Sequence, residues 1–224
     1  MENKFTEYYR QERQYINDIQ RSLAVNPIEK LIYYKPGKCA GTSIFRTILQ
    51  PMGDWIVKKD DGREFGQWIK DITDEEMDKY FSFIFVRNPF SRLVSAWNDT
   101  LRPRGHTDFK KFVKEDVFRG SGYRGRRSYH RDIPTQLHFQ TQSGLVEVPD
   151  GSKNNLNFIG KVENINDDWE ELCSKIHIPH VPMVHAKNKR HEYGNYKDYY
   201  DEETIELVSD MYRRDLQIFN YKWS

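Results

Sequence analysis

Two short runs, LIYY inside residues 30–35 and FSFIFV at 81–86, are apolar without alternation, and each is followed by a segment of helical period. Continuous apolar runs of this length read as strands buried on both faces. The first is followed by TSIFRTILQ, a helix expected to stop near Pro51. The second is followed by NPFSRLVSAWNDTL, with Asn88 placed to cap the helix and Pro89 at its first position. NLNFIGKVEN predicts a further strand, and DDWEELCSKI a helix with Trp169, Leu172, Cys173 and Ile176 along one face. Thr73 and Glu76 have capping-box spacing at the head of a helix over TDEEMDKYF, and DFKKFVKED predicts another short one. A last helix is expected over 202–218. Near the amino end, Phe5, Tyr8, Tyr9, Glu12, Tyr15, Ile16, Ile19 and Leu23, at mostly helical spacing, predict an amphipathic helix over 5–24, so that residues 1–29 pack on the rest. Residues 51–70 read as irregular, and 117–135, rich in Gly and Arg, as loop. Strands alternating with helices predict an α/β fold, a parallel sheet flanked by helices on both faces.

Composition narrows the function classes. The chain has 224 residues, which suits one large domain over 1–224. Lys plus Arg total 35 against 34 Asp plus Glu, and a net charge of +1 gives no basic face for nucleic acid. Two cysteines, Cys39 and Cys173, are too few for a disulfide framework or a zinc cluster, and they suit a reducing compartment. The amino end has no apolar signal core, and no run approaches the roughly 18 apolar residues of a spanning helix. These features together predict a cytoplasmic protein without a membrane span.

The chemistry sits after the two apolar strands. In YYKPGKCAGTSIF, residues 33–45, a strand runs into small residues and hydroxyls at the head of a helix. Backbone N–H groups at such a terminus and the helix dipole favour an anion. Gly41 permits close approach, Thr42 and Ser43 add hydroxyl donors, and Lys38 brings a compact cation. The same stretch also fits an ordinary glycine-containing turn. In FVRNPFSRLVSAW, Arg87 lies at the carboxyl end of a strand, the edge where open α/β sheets bind ligands. Ser91 and Ser95 share one face of the following helix, so that Arg87 and Ser95 could meet one phosphate. A capped helix with surface ion pairs is the plainer alternative, and Arg92 reads that way. Two anion sites on neighbouring strands point to a nucleotide with two separated phosphate groups.

KPGKCAGTSIFRTIL followed by FIFVRNPFSRLVSAW resembles the paired 5′-phosphosulfate and 3′-phosphate motifs of the sulfotransferases, most nearly the carbohydrate (Golgi-type, family 2) branch. LHFQTQSGL is similar to that family's His-aromatic-x-Pro-Gln segment, FIGKVENINDDWEELCSKIHI to its Gly-x-x-Glu-Asn strand and helix, and DYYDEETIELVSDMYRRDLQIFNY to its closing helix. The resemblance spans residues 31–221. It implies a P-loop-like fold and 3′-phosphoadenosine-5′-phosphosulfate (PAPS) as donor. Residues 38–43 (Lys38, Cys39, Ala40, Gly41, Thr42, Ser43) would hold the phosphosulfate, and Arg87 and Ser95 the 3′-phosphate. Lys38 would face the bridging oxygen, where charge grows as the bond breaks, and no metal is needed. Three departures stand out: Gly37 lies between Pro36 and Lys38, Thr141 replaces the proline before Gln142, and HAKNKRH matches its counterpart loosely. The family's Golgi members also carry a membrane anchor.

An acceptor hydroxyl needs a general base, and histidine is the natural type near neutral pH. Of seven histidines, His138 lies in the family-like segment and His130 beside the Arg-rich loop, with Glu64 and Asp132 as carboxylate alternatives. Arg119, Arg124, Arg126, Arg127 and Arg131 suit a loop closing on the donor, an anionic acceptor, or plain solvent. The acceptor implied by the resemblance is a saccharide; oligomeric state is open. Two rivals remain. A P-loop kinase or hydrolase lacks its Gly-x-x-x-x-Gly-Lys-Ser/Thr here, and a nucleotide-binding module without catalysis is left open by Gly37.

Overall fold

The computed structural model describes residues 23–57, 73–105, 107–117, 138–146, 156–183 and 194–223. The expected helix over 5–24 falls outside them except at its end. By packing, the chain falls into two compact units, Met1–Val86 with Gly144–Ala186 and Arg87–Ser143 with Lys187–Ser224.

The first unit holds a five-stranded sheet in the order β3-β1-β2-β4-β5. Its strands are β1 (Leu23–Asn26), β2 (Leu31–Tyr34), β3 (Ile56–Val57), β4 (Phe81–Val86) and β5 (Phe158–Lys161). β2, β4 and β5 are mutually parallel, as the alternation of strands and helices predicts. β1 is the exception: it runs antiparallel to both of its neighbours, β2 and β3, so the sheet is mixed. The reason is local. Only residues 27–30 separate β1 from β2, far too few for a parallel crossover. The turn is held by Asn26, whose Oδ1 accepts from Ile28 N at 3.1 Å and Glu29 N at 3.0 Å. Leu23 and Ala24, expected at the end of a helix, therefore lie in a strand, with Leu23 opposite Tyr34.

β2 is buried along its whole length and β4 from Ser82 to Val86, so both of their faces are covered. On one face Tyr33, Phe83, Phe85 and Phe158 pack with Ile44 and Leu49 and with Trp169, Leu172 and Cys173. The aliphatic pair belongs to α1, which starts as Gly41–Ile44, widens to a π turn over Phe45–Leu49 and ends as Gln50–Met52. The second group belongs to α5 (Ile165–Lys175). Gly160 faces Phe85 across the β4–β5 ladder, and a Cβ there would come within 2.4 Å of the ring. Only glycine lets that ring lie flat on the neighbouring strand. α2 (Asp74–Met77) opens on the expected capping box, Glu76 N donating to Thr73 Oγ1 at 3.2 Å and Thr73 N to Glu76 Oε2 at 3.0 Å.

The second unit is helical. α3 (Pro89–Thr100) is capped by Asn88, whose side chain accepts from Phe90 N at 3.0 Å. α4 (Phe109–Lys111) continues as a π turn over Phe112–Val117. The closing helix is two helices, α6 (Glu202–Met211) and α7 (Arg213–Ile218), where the sequence pattern predicts one. The break falls at Tyr212, whose φ of −105° and ψ of 22° leave the helical region. Its buried ring is held there by a hydrogen bond from its hydroxyl to Phe139 O at 2.8 Å. An aromatic core fills the unit. Phe109 sits edge-on to Trp97 at 5.4 Å and to Tyr200 at 5.0 Å.

α6 begins with a capping box. Asp201 Oδ1 accepts from Thr204 N at 3.0 Å, and Thr204 Oγ1 accepts from Asp201 N at 2.9 Å. The Thr204 hydroxyl, then its N–H, then Lys110 hold the Asp201 carboxyl well below the usual carboxylate range. A depressed folded-state pKa gives stability that is present above the unfolded value of about 4 and is lost as pH falls below it. Asp201→Ala is therefore expected to cost about 1 kcal/mol at neutral pH. The gap to wild type should shrink at about pH 3. Urea denaturation at both pH values checks this; a gap that does not change with pH would mean the cap works without its charge.

Candidate functional site

β2 and β4 are parallel neighbours, with Tyr34 opposite Ile84. The segment after Tyr34 thus leaves the carboxyl end of β2, the edge where open α/β sheets bind ligands, and β4 ends beside it at Val86.

In the first unit the chain turns sharply before α1. Lys38 has φ 68° and Ala40 φ 57°, both left-handed and neither glycine. Each such residue costs about 1–2 kcal/mol, and Lys30, Asp54, His177 and Asn220 take the same backbone region elsewhere. Left-handed residues alternating with ordinary ones gather successive N–H groups into a concave nest that suits an anion. The first bond of the helix ladder runs from Ile44 N to Ala40 O at 3.0 Å. The N–H groups of Gly41, Thr42 and Ser43 therefore precede the ladder and sit where a ligand would use them. The Thr42 side chain is exposed, while Lys38 and Ser43 are half-buried. Cys39 is fully buried and its Sγ donates to Gly37 O at 3.7 Å, so this residue offers a ligand only its backbone.

Sequence reasoning passed over two residues behind this loop. The Lys35 stem lies across Gly41, its Cγ 3.1 Å from where a Cβ would be built, and burial pulls the Lys35 amine below its ordinary pKa. Tyr33 Oη lies 3.9 Å from the same point, and among the described residues this buried hydroxyl has no hydrogen-bond partner. Burial, then the neighbouring Cys39, pushes the phenol well above its ordinary pKa. A second lysine three positions before Lys38 was the signal available.

In the second unit Arg87 Nε donates to Ser91 Oγ at 2.8 Å, one helical turn along α3. Ser95, a further turn on, is 6% exposed. The structure thus ties Arg87 first to Ser91, with Ser95 on the same face. Arg92 is 2% exposed with its guanidinium 6.0 Å from the centre of the Tyr212 ring, so it is a buried residue and not a surface ion-pairing one. Gln142 is fully buried and grips the Arg87 backbone twice: its Oε1 accepts from Arg87 N at 2.8 Å and its Nε2 donates to Arg87 O at 2.9 Å. Asp215, also fully buried, accepts from Gln142 N and Ser143 N, both at 2.8 Å. An acid among Tyr212, Leu216 and Phe219 at helical spacing is the signal that could have found it. His138 is half-buried in the turn just before this segment. His130, Glu64, Asp132, the arginines from Arg119 to Arg131 and residues 185–191 lie outside the described residues.

The sequence model of the family described as "Sulfotransferase family" matches residues 21–222. The chain belongs to the sulfotransferase family. This member is 25% identical over 177 residues to carbohydrate sulfotransferase 10 of Xenopus laevis, covering 66% of the chain and 49% of that protein. It is also 25% identical over 172 residues to human carbohydrate sulfotransferase 9, covering 65% and 38%. The matched region therefore spans less than half the length of these relatives. Comparison with solved structures gave no significant match. Among the described residues of this sulfotransferase-family chain, no helix is long and apolar enough to cross a membrane.

Proposed function

We propose that this chain moves a sulfuryl group from PAPS to the hydroxyl of a saccharide, on a P-loop-like fold. The observation that supports it most is the turn at 38–40, where two strained non-glycine residues set a nest of N–H groups beside a lysine. The nest and the head of α1 would take the 5′-phosphosulfate. Arg87, steadied by Ser91, would take the 3′-phosphate together with Ser95. The acceptor oxygen bonds to sulfur as the bond from sulfur to the bridging oxygen breaks. A base takes the acceptor's proton, and adenosine 3′,5′-bisphosphate (PAP) departs. Lys38 would neutralise the charge that grows on the departing phosphate. A sulfuryl group carries less charge than a phosphoryl group, so this reading assigns no metal. The saccharide rests on the names of the relatives, and the buried thiols Cys39 and Cys173 suit a reducing, cytoplasmic setting.

Selective binding of PAP tests this reading. It should raise the melting temperature more than ADP does at equal concentration, because only PAP offers a 3′-phosphate to Arg87 and Ser95. Arg87→Ala should erase the difference. Greater stabilisation by ATP with magnesium would instead favour a kinase.

A further inference from the structure

We propose that Asp215 is a positioning residue for Arg87, acting through Gln142; this rests on the reading that Arg87 meets the donor's 3′-phosphate. β4 ends at Val86, so among the described residues the strand ladder stops one residue short of Arg87. The Gln142 amide takes the ladder's place, pairing with both Arg87 N and Arg87 O like one residue of an added strand. An amide can do this only if its oxygen faces the N–H and its nitrogen faces the carbonyl.

Asp215 dictates that choice. Its carboxylate only accepts hydrogen bonds, and Oδ2 lies 3.2 Å from Gln142 Nε2, so the nitrogen end must turn toward it. The same carboxylate accepts from the N–H of Gln142 and of Ser143, which fixes the segment carrying the amide. Burying a carboxylate is costly, and a neutral apolar side chain would suit this inward position of α7 better. Replacing it would leave three inward N–H groups without their acceptor. The relay thus runs from α7 to the 142–143 segment, to the backbone of Arg87, and then to a guanidinium whose Nε is held by Ser91. A phosphate needs that guanidinium in one orientation, because paired N–H donors recognise oxygens only when aligned.

The test measures dissociation constants for PAP and for ADP on folded wild type, Asp215→Asn and Gln142→Met. Loss of alignment at a charged contact should weaken PAP binding about tenfold in both variants. ADP, which has no 3′-phosphate, should stay within about twofold. A merely structural role lowers the melting temperature and leaves the ratio of the two constants at its wild-type value, which overturns the proposal. If a variant does not fold, hydrogen exchange on wild type decides. The Ser143 amide, bonded to Asp215, should gain protection with PAP and not with ADP; equal protection overturns the relay. Wild type that binds PAP no better than ADP overturns the donor reading and the relay together. A preference that the variants retain overturns the relay alone.

Discussion

Lys38→Ala is expected to lower turnover about 10²–10³-fold, the usual worth of one preorganised donor aimed at developing charge. Donor affinity should change far less, because the contact strengthens as the sulfur–oxygen bond breaks. The loop explains why this lysine comes before the glycine. Lys38 itself occupies a left-handed position of the turn, and in the proposed complex its amine would face the bridging oxygen. A lysine at the end of a Gly-Lys-Ser/Thr loop would instead serve a terminal phosphate with a bound metal. Single-turnover rates at saturating donor, together with the dissociation constant for PAP, separate rate from binding. Full activity in the variant, or loss of wild-type activity in EDTA, counts against the mechanism.

His138→Ala is expected to lose about 10²–10⁴ in kcat, the range for general-base catalysis. Donor affinity should be kept. The half-buried imidazole lies four residues before Gln142, in the segment that the Asp215 carboxylate anchors. An imidazole can take a proton only when neutral, so under this assignment wild-type kcat should fall on the acid side. His138→Asn keeps a polar side chain of similar reach and should not restore the rate. If the imidazole only supports the turn, the melting temperature falls while the rate in the folded fraction stays near normal. A normal rate with an unchanged acid limb would move the assignment to His130 or a carboxylate.

Several features of the fold were legible because they are local. FSFIFV became β4 with its last five residues buried, and Asn88-Pro89 became the cap and first turn of α3. The spacing of Trp169, Leu172 and Cys173 became the buried face of α5. Strand β1 was missed because LAVN is short and follows an amphipathic pattern that runs into it, and its pairing with β2 decides it. The closing helix was read as continuous because its apolar period does not falter at Tyr212. The hydroxyl of that residue reaches across 73 positions to Phe139, and no window of sequence contains both.

The sequence by itself determined the two segments proposed to bind anions, and their order. Glycine, hydroxyls and a basic residue next to a helix start are needed wherever a backbone meets a phosphate, so their spacing survives in the one-dimensional string. Only the tertiary structure decided how those segments are held. The left-handed turns at Lys38 and Ala40 belong to residues that do not favour them, and so composition does not announce them. The clasp of Gln142 on Arg87 spans 55 positions, and that of Asp215 on Gln142 spans 73. Hydrogen bonds at that separation have no period and no required spacing. They exist because a buried carboxylate and a buried amide must each find partners wherever the folded chain brings them.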